Sequence, residues 1–159
     1  AKIKSVQRGT FTVSSGTTVS ISPVNLSKSV LLIQAHNDSF SGLRSLPKMF
    51  SYYMDLTDAQ TITFTRDDRE SVTVNWTVIE FENIIVQKLT GTIPAYTQYV
   101  DLTISAIDTT KTFLITPYVR DDEYGAMAHL INSNTIRVSL NRSIDRTSAP
   151  YVVFVVTLL

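Results

Sequence analysis

Thr61-Ile62-Thr63-Phe64-Thr65 alternates polar and apolar residues without a break, the period-2 pattern of a strand with one buried face. Ser71 to Val78 repeats the pattern and puts Val72, Val74, Trp76 and Val78 on one side. The hydrophilic run Arg66-Asp67-Asp68-Arg69-Glu70 between them reads as the solvated turn of a hairpin. Phe11 and Val13 begin a further alternating strand. Two stretches depart from alternation: Val30-Leu31-Leu32-Ile33 and Val152 to Val156 are apolar on both faces. Such strands are covered on both sides, here by the other half of the chain or by another subunit. A free apolar edge strand invites aggregation. On that ground Val152, Val153, Phe154, Val155, Val156 and Leu158 are the candidate assembly interface. Helical spacing is weak: Ser41 to Asp55 offers Leu43, Leu46, Met49 and Phe50, but Pro47 interrupts it, which predicts a turn followed by a strand. Pro23, Pro94, Pro117 and Pro150 sit near predicted strand ends, where a missing N–H costs least.

The strand pattern occurs twice. VQRGTFTVSSG (Val6 to Gly16) is echoed by VQKLTGTIPAY (Val86 to Tyr96), and ISPVNLSKSVLLI (Ile21 to Ile33) by ISAIDTTKTFLI (Ile104 to Ile115). LTDAQTITFTR (Leu56 to Arg66) returns as LINSNTIRVSL (Leu130 to Leu140), and VNWTVIEF (Val74 to Phe81) as VVFVVTL (Val152 to Leu158). Four blocks in the same order, at a period of about 80 residues, indicate a duplication whose unit is the size of a small sandwich, not of a solenoid repeat. The expected fold is all-β: two tandem, similar antiparallel β-sandwich-like units, 1–83 and 84–159. They form either separate lobes or the halves of one pseudo-symmetric body.

Composition narrows the function. Hydrophobic residues make up 43% of the 159 positions and charged ones 18%, with Ser and Thr filling the difference. Lys+Arg and Asp+Glu are 14 each, so the net charge is +0 and the phosphate-neutralising excess of a nucleic-acid binder is missing. A neutral surface also lacks the repulsion that keeps copies apart. With Cys 0, disulfides, thiolate metal sites and thiol nucleophiles are excluded. AKIKSVQRG lacks the apolar segment of a signal peptide, and the run Tyr151 to Val156 is far short of the ~20 residues of a membrane-spanning helix. The expectation is a soluble chain with neither membrane nor nucleic acid as partner.

Candidate chemistry is sparse. No Gly-rich phosphate loop, G-x-S-x-G elbow or H-E-x-x-H is present. His36 and His129 fall one in each half and read as surface or loop residues. Asp67–Asp68 and Asp121–Asp122–Glu123 are adjacent in sequence, which does not supply the facing geometry of a carboxylate pair. No cofactor is expected, and Ca²⁺ at Asp121, Asp122 and Glu123 is the conceivable exception. The expectation is a non-enzymatic protein. Tyr52, Tyr53, Tyr96, Tyr99, Tyr118 and Tyr124 fall in loop-like or strand-end segments. Of these Tyr52, Tyr53, Tyr118 and Tyr124 are the candidate ligand-contact residues, against the plainer reading of sandwich-rim packing. Trp76 reads as core.

IKSVQRGTFTV, ISAIDTTKTFLI and VTVNWTVIEF resemble a β-rich repeat of tailed-bacteriophage virion structural proteins. In that repeat an I-K-S-I-Q-R-G-T strand precedes T-I-S-A-V-D-x-S-K, a T-x-T-R hairpin and a closing V-x-W-x-V-x-E-F strand. The first unit matches all four blocks, at Ile3 to Thr10, Ile21 to Lys28, Thr61 to Arg66 and Val74 to Phe81. The second has Lys88-Leu89 for Arg-Gly and Thr157-Leu158 for Glu-Phe. The resemblance implies a virion protein assembled in the host bacterial cytoplasm, as capsid decoration or a related head or tail accessory component. Its partners would be further copies of itself and proteins such as the major capsid or tail proteins. The alternative is a tail-fibre or receptor/carbohydrate-binding module that uses its Tyr-rich loops.

Overall fold

The computed structural model describes residues 1–13, 17–37, 51–66, 72–120, 126–140 and 148–159. They form β1 (Ile3–Val13), β2 (Thr17–Ser20), a 3₁₀ turn (Leu26–Lys28), β3 (Ser29–Asn37), β4 (Ser51–Asp58), β5 (Thr61–Arg66), β6 (Val72–Phe81), β7 (Ile84–Ile93), β8 (Tyr99–Thr103), β9 (Thr112–Ile115), β10 (Tyr118–Arg120), β11 (Ala126–Asn132), β12 (Thr135–Leu140) and β13 (Ala149–Leu158). The fold is all-β, and the strands pair antiparallel in four sheets ordered β1-β6-β3, β10-β4-β5-β2, β7-β13-β9 and β11-β12-β8.

The same wiring is used twice. β1-β6-β3 corresponds to β7-β13-β9, and β4-β5-β2 to β11-β12-β8. The correspondence reaches single hydrogen bonds. Gln7 donates from Nε2 to the Ser22 carbonyl and accepts at Oε1 from the Ser22 N–H; Gln87 does the same with Ser105. Asn25 Oδ1 accepts from the N–H and hydroxyl of Ser27, and Asp108 Oδ1 from those of Thr110. The Ile21 N–H donates to the Gln60 carbonyl, and the Ile104 N–H to that of Asn134. Short side chains that bond their own backbone two residues on make Asx turns, so each Asn or Asp here sets a corner of the frame.

Within this frame the alternating pattern has its expected result: Ile62 and Phe64, like Ile136 and Val138, are buried, while Thr61, Thr63 and Thr65 are half-buried. The hairpin reading of Arg66 to Glu70 is corrected. β5 lies between β4 and β2, and β6 between β1 and β3, so both edges of each strand are already taken. β5 and β6 thus belong to different sheets, and 67–71 lie outside the described residues. The strand predicted within Ser41 to Asp55 is β4, whereas 41–50 lie outside the described residues. In the run Val30 to Ile33, Val30 and Leu31 are buried but Leu32 is 39% exposed.

Two features join the halves. The first is a strand that changes sheets. β3 pairs with β6 along all nine residues, Ser29 to Asn37. Its counterpart begins as β9, with Thr112 opposite Thr157, and stops at Ile115. Pro117 has no N–H to give to a ladder. Beyond it the chain resumes as β10 on the edge of β4, with Tyr118 opposite Tyr53 and Val119 opposite Tyr52. The Met54 N–H donates to the Pro117 carbonyl at 3.1 Å.

The second is β13. It runs between β7 and β9, and its alternate residues enter different cores. Val152, Phe154 and Val156 join Leu31, Met54, Leu56, Ile62, Phe64, Val74, Trp76 and Val78 of the first unit. Tyr151, Val153 and Val155 join Ile93, Ile104, Ile136, Val138 and Leu140 of the second. Residues 152 to 156 are each no more than 4% exposed, and Leu158 packs half-buried on the first core. Each fully buried Val or Phe contributes about 1.5–3 kcal/mol relative to an exposed one. The assembly interface assigned to Val152, Val153, Phe154, Val155, Val156 and Leu158 is therefore corrected for Val152 to Val156, which the other half of the chain covers on both faces, so these five side chains are interior; Leu158 is half-buried.

Candidate interaction surface

Of the tyrosines expected in loop-like or strand-end segments, the described candidates lie at strand ends. Tyr52 and Tyr53 lie on β4 and Tyr118 on β10, brought side by side by the pairing of these strands. Tyr53 is half-buried against the first core. Tyr124, Asp121, Asp122 and Glu123 lie outside the described residues. Among the described residues no group of three His, Asp or Glu side chains is placed to hold a metal ion. Between β3, β6 and the β9–β10 crossing runs a crevice of about 380 Å³, lined by Leu32, Gln34, Asn75, Thr77, Ile115 and Pro117.

The outer face of β11-β12-β8 carries the best-defined polar constellation. Alternation along β12 sends Ile136 and Val138 inward, which leaves Arg137 on the other side. Pairing sets Arg137 opposite Asp101 on β8 and opposite His129 on β11. Arg137 Nε donates to Asp101 Oδ1 at 2.7 Å and Nη2 to Oδ2 at 2.8 Å, a bidentate fork. The same guanidinium lies 3.8 Å from the centre of the Tyr99 ring, a cation–π stack. The Arg137 hydrogen bonds hold the Asp101 carboxyl below its usual range, and Asp101 raises the Arg137 pKa in turn. Both groups are thus fixed in their charged forms and neutralise one another. They suit positioning and recognition, not proton transfer at neutral pH. On the same face stand Met127, Ile131 and Tyr99, which are 55%, 45% and 43% exposed.

Arg137 and Asp101 are 36 positions apart, so adjacency of charges along the sequence does not bring them together. The usable signal was alternation: in Thr135-Ile136-Arg137-Val138-Ser139 it already places Arg137 on the outer face. His129 is an exposed strand residue in register with Arg137, and His36 lies on β3 opposite Thr73.

A second polar cluster is structural. Glu80 is 3% exposed at the end of β6 and accepts from Lys4 Nζ at 2.9 Å, from the Asn25 N–H at 3.3 Å and from Ser5 Oγ at 3.4 Å. Burial pushes its pKa up, but these donors outweigh it and the net shift is downward. In the second unit Thr157 takes the same place, and its hydroxyl lies 2.9 Å from that of Thr112.

No protein-family model, no curated protein and no solved structure matches this chain.

Proposed function

We propose that this protein is a non-enzymatic structural component of a tailed-bacteriophage particle. It would assemble on the particle surface as a capsid decoration or a related head or tail accessory protein. The observation that carries the reading is the resemblance of four ordered blocks, at Ile3 to Thr10, Ile21 to Lys28, Thr61 to Arg66 and Val74 to Phe81, to the repeat of such proteins. The geometry is compatible with that work. A duplicated frame, locked by a shared central strand and a strand passed between sheets, makes a stiff scaffold with open polar–apolar faces. Contacts to neighbours fall to such faces, since Val152 to Val156 are used inside the chain. The alternative is a tail-fibre or receptor/carbohydrate-binding module that uses its tyrosines, of which Tyr52, Tyr53 and Tyr118 lie at strand ends.

Mass spectrometry of gradient-purified particles from the phage that encodes the chain tests this reading. The expected result is the chain at a fixed stoichiometry to the major capsid or tail protein. Its absence from intact particles overturns the proposal.

A further inference from the structure

β9 and β10 together correspond to the single strand β3, which stays on β6 from Ser29 to Asn37. Ser29 and Thr112 hold equivalent places, opposite Glu80 and Thr157. Counting forward from them sets Pro117 at the position of Gln34. Counting back along the two central strands sets Pro150 at the position of Thr73. The first unit thus carries an N–H at both positions, and the second carries proline at both. From Ala149 to Val153, β13 has β7 as its single strand partner among the described residues.

The direction in which these prolines point decides their effect. The Leu158 N–H donates to the Lys111 carbonyl, on the β9 side, and the Leu159 N–H to the Asn83 carbonyl, on the β7 side. Backbone groups along a strand turn to alternate sides, so Pro150 and Val152 share the direction of Leu158. Continuing the register of Phe154 with Ile115 sets Val152 opposite Pro117 and Pro150 opposite Val119. In an unbroken ladder each of these pairs exchanges both of its hydrogen bonds. Pro117 has no N–H for Val152, and Pro150 has none for Val119, so each pair loses one bond. Gln34 with Asn75 and His36 with Thr73, the matching pairs of the first unit, lack neither donor. The ladder on β7 is spared, because the Pro150 nitrogen faces away from it. On β4 the segment fares better. Pro117 stands at the start of that ladder, where its carbonyl accepts from the Met54 N–H, and Val119 lies opposite Tyr52, both with an N–H to give.

We propose that β10 is a strap with two possible seats, and that Pro117 and Pro150 together close the seat on β13. The strap is thereby sent to β4, where it fastens the second unit to the first. One proline lies on the strap and the other on the strand it leaves, so the second unit's own sheet rejects β10 from both sides of the ladder.

The chain has no cysteine, so disulfide trapping in the full chain reads the seat directly. Directly opposed strand residues lie about 4.5–5.5 Å apart at Cα, within disulfide range. Val119→Cys with Tyr52→Cys reports the seat on β4. Val119→Cys with Pro150→Cys reports the seat on β13. In the otherwise unaltered chain the first pair is expected to close under mild oxidation. Pro117→Gln with Pro150→Thr installs the first unit's residues. That change is expected to lower the first cross-link about tenfold or more, the effect of one or two hydrogen bonds on the balance. In a Pro117→Gln chain the Val119→Cys, Pro150→Cys pair is expected to close instead. The proposal is overturned if the β4 pair fails to close in the otherwise unaltered chain, or closes undiminished beside Pro117→Gln and Pro150→Thr. Failure of the β13 pair to close in the Pro117→Gln chain also overturns it, and separates a moved strap from a variant that has merely lost its structure.

Discussion

The Lys88 ammonium lies 2.8 Å from the Asp55 carboxylate and ties β7 of the second unit to β4 of the first. Lys88 also donates to the Leu56 carbonyl at 2.8 Å. The Lys88 and Asp55 side chains are 25% and 16% exposed, so solvent screens the pair in part. Lys88→Met is expected to lower unfolding stability by about 1–3 kcal/mol, since it strands a mostly buried carboxylate and a carbonyl. A double-mutant cycle with Asp55→Asn, read by urea denaturation, should return a coupling of about 0.5 kcal/mol or more. Additive effects would show that the two side chains act independently.

Gly9 pairs with Trp76 across β1 and β6, and a Cβ on Gly9 would meet the indole well inside van der Waals contact. The indole is a rigid ring system within the first core, so it can give way only by disturbing its neighbours. Gly9→Ala is expected to destabilise by about 1–3 kcal/mol and to red-shift the fluorescence of the sole tryptophan. An unchanged spectrum together with unchanged stability would sink this account.

Phe154 belongs to the second unit by sequence and to the first core by position. Phe154→Ala is expected to cost about 3–5 kcal/mol. Because β13 is a wall of both cores, calorimetry should show one unfolding transition in the wild type and one, at lower temperature, in the variant. Two resolved transitions, with one unmoved by the substitution, would mean that the units fold independently.

Glu80 links stability to acid. Burial raises its pKa, but the donors Lys4, the Asn25 N–H and Ser5 bring it below the usual glutamate value of 4.5. A folded-state pKa below the unfolded one means that its contribution is fully present above 4.5 and is lost as pH falls through the folded value. Thermal melts from neutral pH down to the acid range should therefore show a drop that Glu80→Gln flattens. A variant with the same acid slope as the wild type would assign the drop to other carboxylates.

Much of the fold was legible because duplication tests each element against a second copy. Alternation located β5 and β6, the repeat of the Leu56 to Arg66 block located β12, and the Asn25 and Asp108 corners were visible as matching Asn/Asp–Ser/Thr–Lys blocks. What pairs with what was not legible: the polar run after Thr65 has hairpin chemistry, yet β5 and β6 belong to different sheets, because local turn signals do not report sheet membership. Apolarity correctly marked Val152 to Val156 as covered on both faces. It could not say by what, since a core and an interface select the same side chains. Arg137 with Asp101 is a cross-strand relation, and register, which joins residues distant in sequence, is set by tertiary pairing.

The placement of β13 also orders events in time. Translation delivers the first unit's own strands by Phe81, but Val152, Phe154 and Val156, which complete its core, come more than seventy residues later. The earlier strands therefore wait with an open apolar face while the later half is made, and both cores close together on β13. Such long-range closure is slow compared with local packing, and a nascent chain held at that stage is the form most exposed to misassembly.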